Sequence, residues 1–180
     1  MPFQIDDQVV YPAFGVGRVV GLVTKSFSAA GSRLYYEVSG YRTTAWVEVD
    51  RGAAVGLRPL TRRDELAHFR SVLRGRPAAL NTDFRQRQLE VRSQLRRGTL
   101  QGACEVVRDL SGRGWIKPLN EADASVLRTT LEALCQEWAA SDSVSLERAT
   151  AEVNGLLREA RQTFQPGPRP DGGRLLAEDL

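Results

Sequence analysis

The chain has little with which to do chemistry. It contains one histidine, two cysteines and one methionine, and of its 25 basic residues only Lys25 and Lys117 are lysines. With His68 alone, no nucleophile–histidine–acid triad can be assembled, and its helical neighbours mark His68 as a surface or half-buried residue. Cys104 and Cys135 lie far apart and neither belongs to a CxxC, so they read as buried, reduced thiols of a cytoplasmic protein. There is no GxxxxGK[ST] phosphate loop, and no GxGxxG opens a helix after a strand. The paired acids Asp6–Asp7 and Asp64–Glu65 stand without clustered ligands, and adjacent acids at helix starts usually serve as caps. No apolar run approaches the roughly 20 residues a membrane span requires. The N-terminal MPFQIDDQVVYP has no basic segment leading into an apolar one, so it does not read as a signal peptide. The expectation is a cytoplasmic protein that is not an enzyme and needs no cofactor, metal or membrane. Arginine over lysine carries no chemical reading, since genome composition can bias that choice.

At 180 residues the chain suits one ordinary domain or two small ones. A chain of that size buries about 70% of its unfolded surface and can fold without staples. Net charge is only +3, but its distribution is uneven. Arg74 to Lys117 holds ten basic and four acidic residues, whereas Pro118 to Thr163 holds four basic and eight acidic. A basic block in a near-neutral protein points to one anion-facing surface.

Periodicity changes near residue 60. Before it, VVYPAFGVGRVVGLVTKSF, RLYYEVSG and TTAWVEVD read as short strands rich in β-branched and aromatic residues. Four or five such strands predict a small, curled antiparallel β-barrel of the SH3 or Tudor sort over residues 1–60. Strand parity puts Ala45, Val47 and Val49 on one face and Trp46 on the other; it likewise turns Leu34, Tyr36 and Val38 inward and Tyr35 outward. An outward Trp beside an outward Tyr fits a protein-binding anchor, or a neighbouring element that covers it. Residues 61–163 predict an all-α helical domain of about five helices, giving an α+β protein. Thr61 would cap the first helix. Asn81 or Thr82 would cap a second, running from about Asp83 to Arg97 and stopped by Gly98. A third would end in the SGRG of Ser111 to Gly114, leaving Trp115 in a loop. Asn120 would cap a fourth and Ser143 or Ser145 a fifth, with Trp138 on an apolar stripe. The Pro- and Gly-rich residues 164–180 read as a disordered tail.

The second of these helices lies in NTDFRQRQLEVRSQLRRG, which carries five arginines, two acids and one Phe near its head. On a helical wheel from Phe84, at about 100° per residue, Arg85, Arg92 and Arg96 fall near 100°, 80° and 120°. Phe84, Val91 and Leu95 form a narrow apolar stripe at right angles to them. The wheel alone therefore leaves Phe84 either as a core residue or, because it sits in the first turn, as a ring projecting past the end of the bundle.

VVYPAFGVG, VGLRPL (55–60), the DF-R-R of Asp83 to Arg87 and VVRDL (106–110), in that order, resemble the CarD/CdnL family of bacterial regulators that bind RNA polymerase. The resemblance implies a Tudor-like domain, shared with the transcription-repair coupling factor, that docks on the polymerase β subunit. It also implies a helical domain contacting promoter DNA at the upstream edge of the −10 element. There an aromatic residue, usually Trp, wedges into the minor groove and holds the melted bubble open. Phe84 stands at the wedge position, and Arg76, Arg85, Arg87 and Arg92 would contact phosphates. Lys25, Phe27 and Trp46, with Tyr35, are the expected polymerase contacts. The chain departs from the family in having Phe where Trp is usual and Leu89 where a basic residue is common. The reading is a monomeric transcription regulator that stabilises the open complex. The alternative is a protein-only adaptor that docks through its barrel without touching DNA.

Overall fold

The computed structural model describes residues 2–12, 14–26, 31–40 and 43–165. The strands are β1 (Gln8–Tyr11), β2 (Gly15–Lys25), β3 (Arg33–Ser39), β4 (Thr44–Glu48) and β5 (Arg58–Pro59). They form one antiparallel sheet in the order β4-β3-β2-β1-β5. The β2–β3 register shifts between Val19 and Gly21, and a bulge of that kind bends a strand and raises its twist. Inward residues of all the longer strands seal one core: Val9, Val19, Tyr36, Val38 and Val47, joined by Phe3 and Leu57. Alternation leaves the neighbours of those residues outside, and Trp46 is 42% exposed between Ala45 and Val47.

A short 3₁₀ turn, Arg63–Glu65, leads into α1 (Leu66–Arg74), followed by α2 (Phe84–Arg96), α3 (Leu100–Ile116), α4 (Glu121–Asp142) and α5 (Leu146–Thr163). Leu66, Leu73, Cys104, Val107, Leu134, Trp138, Val153 and Leu156 from α1, α3, α4 and α5 make the main helical core. Each large apolar side chain removed from water there contributes about 1.5–3 kcal/mol. Trp138 is fully buried, with its indole N–H donating to Glu152 at 3.3 Å. Both cysteines are buried free thiols.

Several helix ends differ from the sequence reading, each for a local reason. Thr61 is no cap: its hydroxyl donates to Glu137 of α4 at 2.6 Å, while Glu65 reaches back to the Arg62 amide at 2.9 Å. Asp83, not Asn81 or Thr82, caps α2 by accepting from Gln86 N at 2.8 Å. Asn81 instead accepts from the Asp83 amide at 3.0 Å, shaping the approach. Asn120 and Ser145 do cap α4 and α5. The SGRG segment does not stop α3, which continues through it to Ile116. Gly112 lies where Pro77 crosses the helix, and a Cβ there would come within 2.3 Å of the proline ring. That glycine serves close approach, not termination. Trp115 is therefore helical and half-buried, edge-on to Phe164 at 5.3 Å. Phe164 was expected in a disordered tail but packs here; the rest of that tail, residues 166–180, lies outside the described residues.

No helix among the described residues is long and apolar enough to cross a membrane.

Candidate nucleic-acid interface

Helix α2 buries an unusual face. Val91 packs with Val106 and Leu110 of α3, and Leu95, Val126 and Leu127 border that cluster. Alongside Val91, Arg87 and Gln88 are also buried. The opposite side carries Arg85, Leu89, Arg92 and Arg96, all exposed. Phe84 shares the angular sector of Val91 and Leu95, yet it is 47% exposed. As the first residue of α2 it lies outside the cluster that Val91 forms with α3. It rests instead beside a shallow apolar depression formed with Asn120, Glu121, Ala122 and Ser125 at the start of α4.

The ring stands on a buried polar hub. Asp123, on α4, is fully buried, and its carboxylate accepts from Arg87 Nε at 3.0 Å, Gln88 Nε2 at 2.7 Å and Asn120 Nδ2 at 3.1 Å. Arg113 of α3 approaches the same carboxylate at 3.7 Å. Arg87 spends another nitrogen on the carbonyls of Asn81 at 2.8 Å and Thr82 at 3.2 Å, so it ties the entry to α2 onto α4. Its guanidinium carbon lies 5.7 Å from the Phe84 ring centroid, within cation–π range. This corrects the expectation that Arg87 contacts phosphate. At 2% exposure it has no surface to offer, and its hydrogen-bonding capacity is directed inward. Asp123 went unnoticed in the sequence, where its spacing from Asn120 reads only as a helix start.

Of the other expected DNA contacts, Arg85 and Arg92 lie together on the exposed side of α2. Arg76 is exposed but stands apart, lining a cleft with Ala160, Thr163 and Phe164 at the end of α5.

The second expected surface is the outer face of the sheet. Lys25 Nζ sits 3.4 Å from the Trp46 ring centroid. Trp46 pairs across the strands with Glu37, and Tyr35 with Glu48 and Val23, while Tyr36 points to the core. Arg33 donates to Glu48 at 2.6 Å. Lys25, Tyr35 and Trp46 thus share one face; Phe27 lies outside the described residues.

Among the described residues no group of three or more His, Cys, Asp or Glu side chains could hold a metal ion. Two family models match the chain: the CarD-like/TRCF RID domain over residues 3–42, and the C-terminal domain of CarD over residues 68–154. A relative from Bacillus subtilis (strain 168), named "Putative transcription factor YdeB", is 26% identical over 136 residues, covering 75% of this chain and 89% of its own. Phe84 and the arginines of α2 fall inside the second match, Lys25 and Tyr35 inside the first.

Proposed function

Because the chain belongs to the CarD family of transcription regulators that interact with RNA polymerase, we propose that it acts by stabilising the promoter open complex. The outer face of the sheet, with Lys25, Tyr35 and Trp46, docks on the polymerase β subunit, and Phe27 belongs to the same contact. The head of α2 then faces promoter DNA at the upstream edge of the −10 element. Phe84 enters the minor groove while Arg85 and Arg92, with Arg76 further off, neutralise phosphates.

The observation that supports this most is the exposure of Phe84 at 47% on an otherwise buried stripe. An apolar ring left in water at the head of an arginine-rich helix suits insertion between bases. Unstacking a step costs about a few kcal/mol, offset by the contacts the opened groove allows. A ring that fits a distorted fork better than closed duplex shifts the closed–open equilibrium toward open. Phe lacks the indole N–H of Trp, so the wedge acts by stacking and shape alone. Tethering to polymerase supplies an effective concentration near the millimolar range, so weak intrinsic DNA affinity suffices.

The test is open-complex lifetime with purified polymerase. Wild type should lengthen it. Phe84→Ala should lose that gain at any concentration, whereas Trp46→Ala should lose it at low concentration and recover it at high. A Phe84→Ala protein as effective as wild type would refute the wedge; if it also showed no salt-sensitive DNA affinity, a protein-only adaptor would be the answer.

A further inference from the structure

We infer that Glu137, Arg58 and Thr61 form a clamp that fixes the polymerase-facing sheet relative to the Phe84 end of α2. By holding that spacing, the clamp turns polymerase binding into wedge insertion. Glu137 is a positioning residue on this view, and the inference rests on the wedge reading above.

Glu137 lies on α4 and is 5% exposed, so it needs strong compensation. It accepts two bonds from Arg58 of β5, at 2.6 and 2.7 Å, and one from the Thr61 hydroxyl at 2.6 Å. The third Arg58 nitrogen, Nε, donates to the carbonyl of Gly98. Gly98, at φ +65°, is the residue that turns the chain out of α2. One planar guanidinium therefore holds the edge of the sheet, the middle of α4 and the far end of the wedge helix together. Lysine could not do this, because the three contacts need a rigid fork.

Packing at this junction is incomplete. A cleft of about 270 Å³ runs beside the clamp, lined from the sheet by Tyr11 and Val16 and from the bundle by Leu95, Ala133 and Leu134. Close-packed interiors leave few voids larger than a water molecule. Where shape leaves such slack, a directional polar contact can select one orientation, a better-attested use of buried ion pairs than stability itself. The lever is long: α2 spans about 20 Å at about 1.5 Å per residue, so a swing of about 10° at the Gly98 end carries Phe84 through about 3.5 Å. An error of that size would take the ring out of register with a groove about 6 Å wide.

Glu137→Gln, and independently Arg58→Lys, should leave polymerase affinity within about twofold of wild type, since Lys25, Tyr35 and Trp46 are untouched. The open-complex lifetime gain should fall by about fivefold or more, the lower range of coupling between sites. Pulsed-EPR distances between labels at Thr24→Cys and Ser93→Cys, both exposed, should be narrow in the parent protein and broaden in each variant. An unchanged distance distribution in both variants would overturn the clamp. Broadening with a full lifetime gain, or a drop in polymerase affinity that accounts for the loss, would overturn the coupling. Failure of the wedge reading would look different: the parent protein itself would give no lifetime gain, removing the coupling while the distances still reported on the clamp.

Discussion

Phe84 and Arg87 lie one turn apart on α2, and what lies beneath each decides its exposure. Phe84 lies outside the apolar cluster between α2 and α3, whereas Arg87 meets the Asp123 carboxylate and the carbonyls of the preceding loop. Their substitutions should therefore separate. Phe84→Ala should change unfolding free energy by about 1 kcal/mol or less, since the ring is half in water. Asp123→Ala strands a buried guanidinium and should cost about 3–5 kcal/mol; chemical denaturation of both variants checks the pair. Arg92→Ala should lower the slope of log affinity against log salt by about 0.9, one phosphate's worth, at unchanged stability. An Arg87 variant should lose stability with no such signature. The phosphate role expected of Arg87 came from the family resemblance and ran against its wheel angle of about 300°, nearly opposite Arg85, Arg92 and Arg96. Nothing in the sequence named Asp123 as its partner, because pairing across 36 positions is fixed only when α4 packs on α2. A further residue-scale prediction concerns Cys104. Burial, with the negative charges of Glu137 and Glu105, pushes its thiol up to about 12 from 9.0. The unfolded chain then releases the proton first as pH rises. Stability from this group is complete below pH 9 and is lost between there and about 12, at about 1.4 kcal/mol per pH unit. Cys104→Ala should flatten that alkaline decline in denaturant titrations.

Among the elements, the strands were the easiest to read because alternation is a local property. Val47 and Val38 inside and Trp46 outside follow from the period of two alone. Helix ends were harder. Ser111 to Gly114 has the composition of a turn, yet α3 runs through it, and Gly112 makes room for Pro77 from another part of the chain. Close approach and termination both call for glycine, and only packing distinguishes them. Gly112→Ala is the test: in the middle of a continuous helix alanine's better propensity should favour the substitution, whereas the Pro77 contact should make it destabilising by about 1–3 kcal/mol in urea unfolding. Thr61 misled in the same way, since a hydroxyl ahead of a helix suits a cap but here reaches Glu137 across the sheet–bundle junction.

At the scale of the whole molecule, the sheet presents Lys25, Tyr35 and Trp46 on one surface and the bundle presents Phe84 with Arg85, Arg92 and Arg96 on another, joined at Glu137. On the proposed function the two surfaces serve as a tether and a probe: polymerase brings the chain to the promoter, and the ring reports whether the fork is open by fitting it. The most direct measurement replaces Phe84 with the photoreactive analogue p-benzoylphenylalanine and maps crosslinks in an assembled open complex. The account predicts crosslinks to DNA at the upstream edge of the −10 element that require polymerase. Crosslinks that reach only protein, or DNA elsewhere, would contradict it.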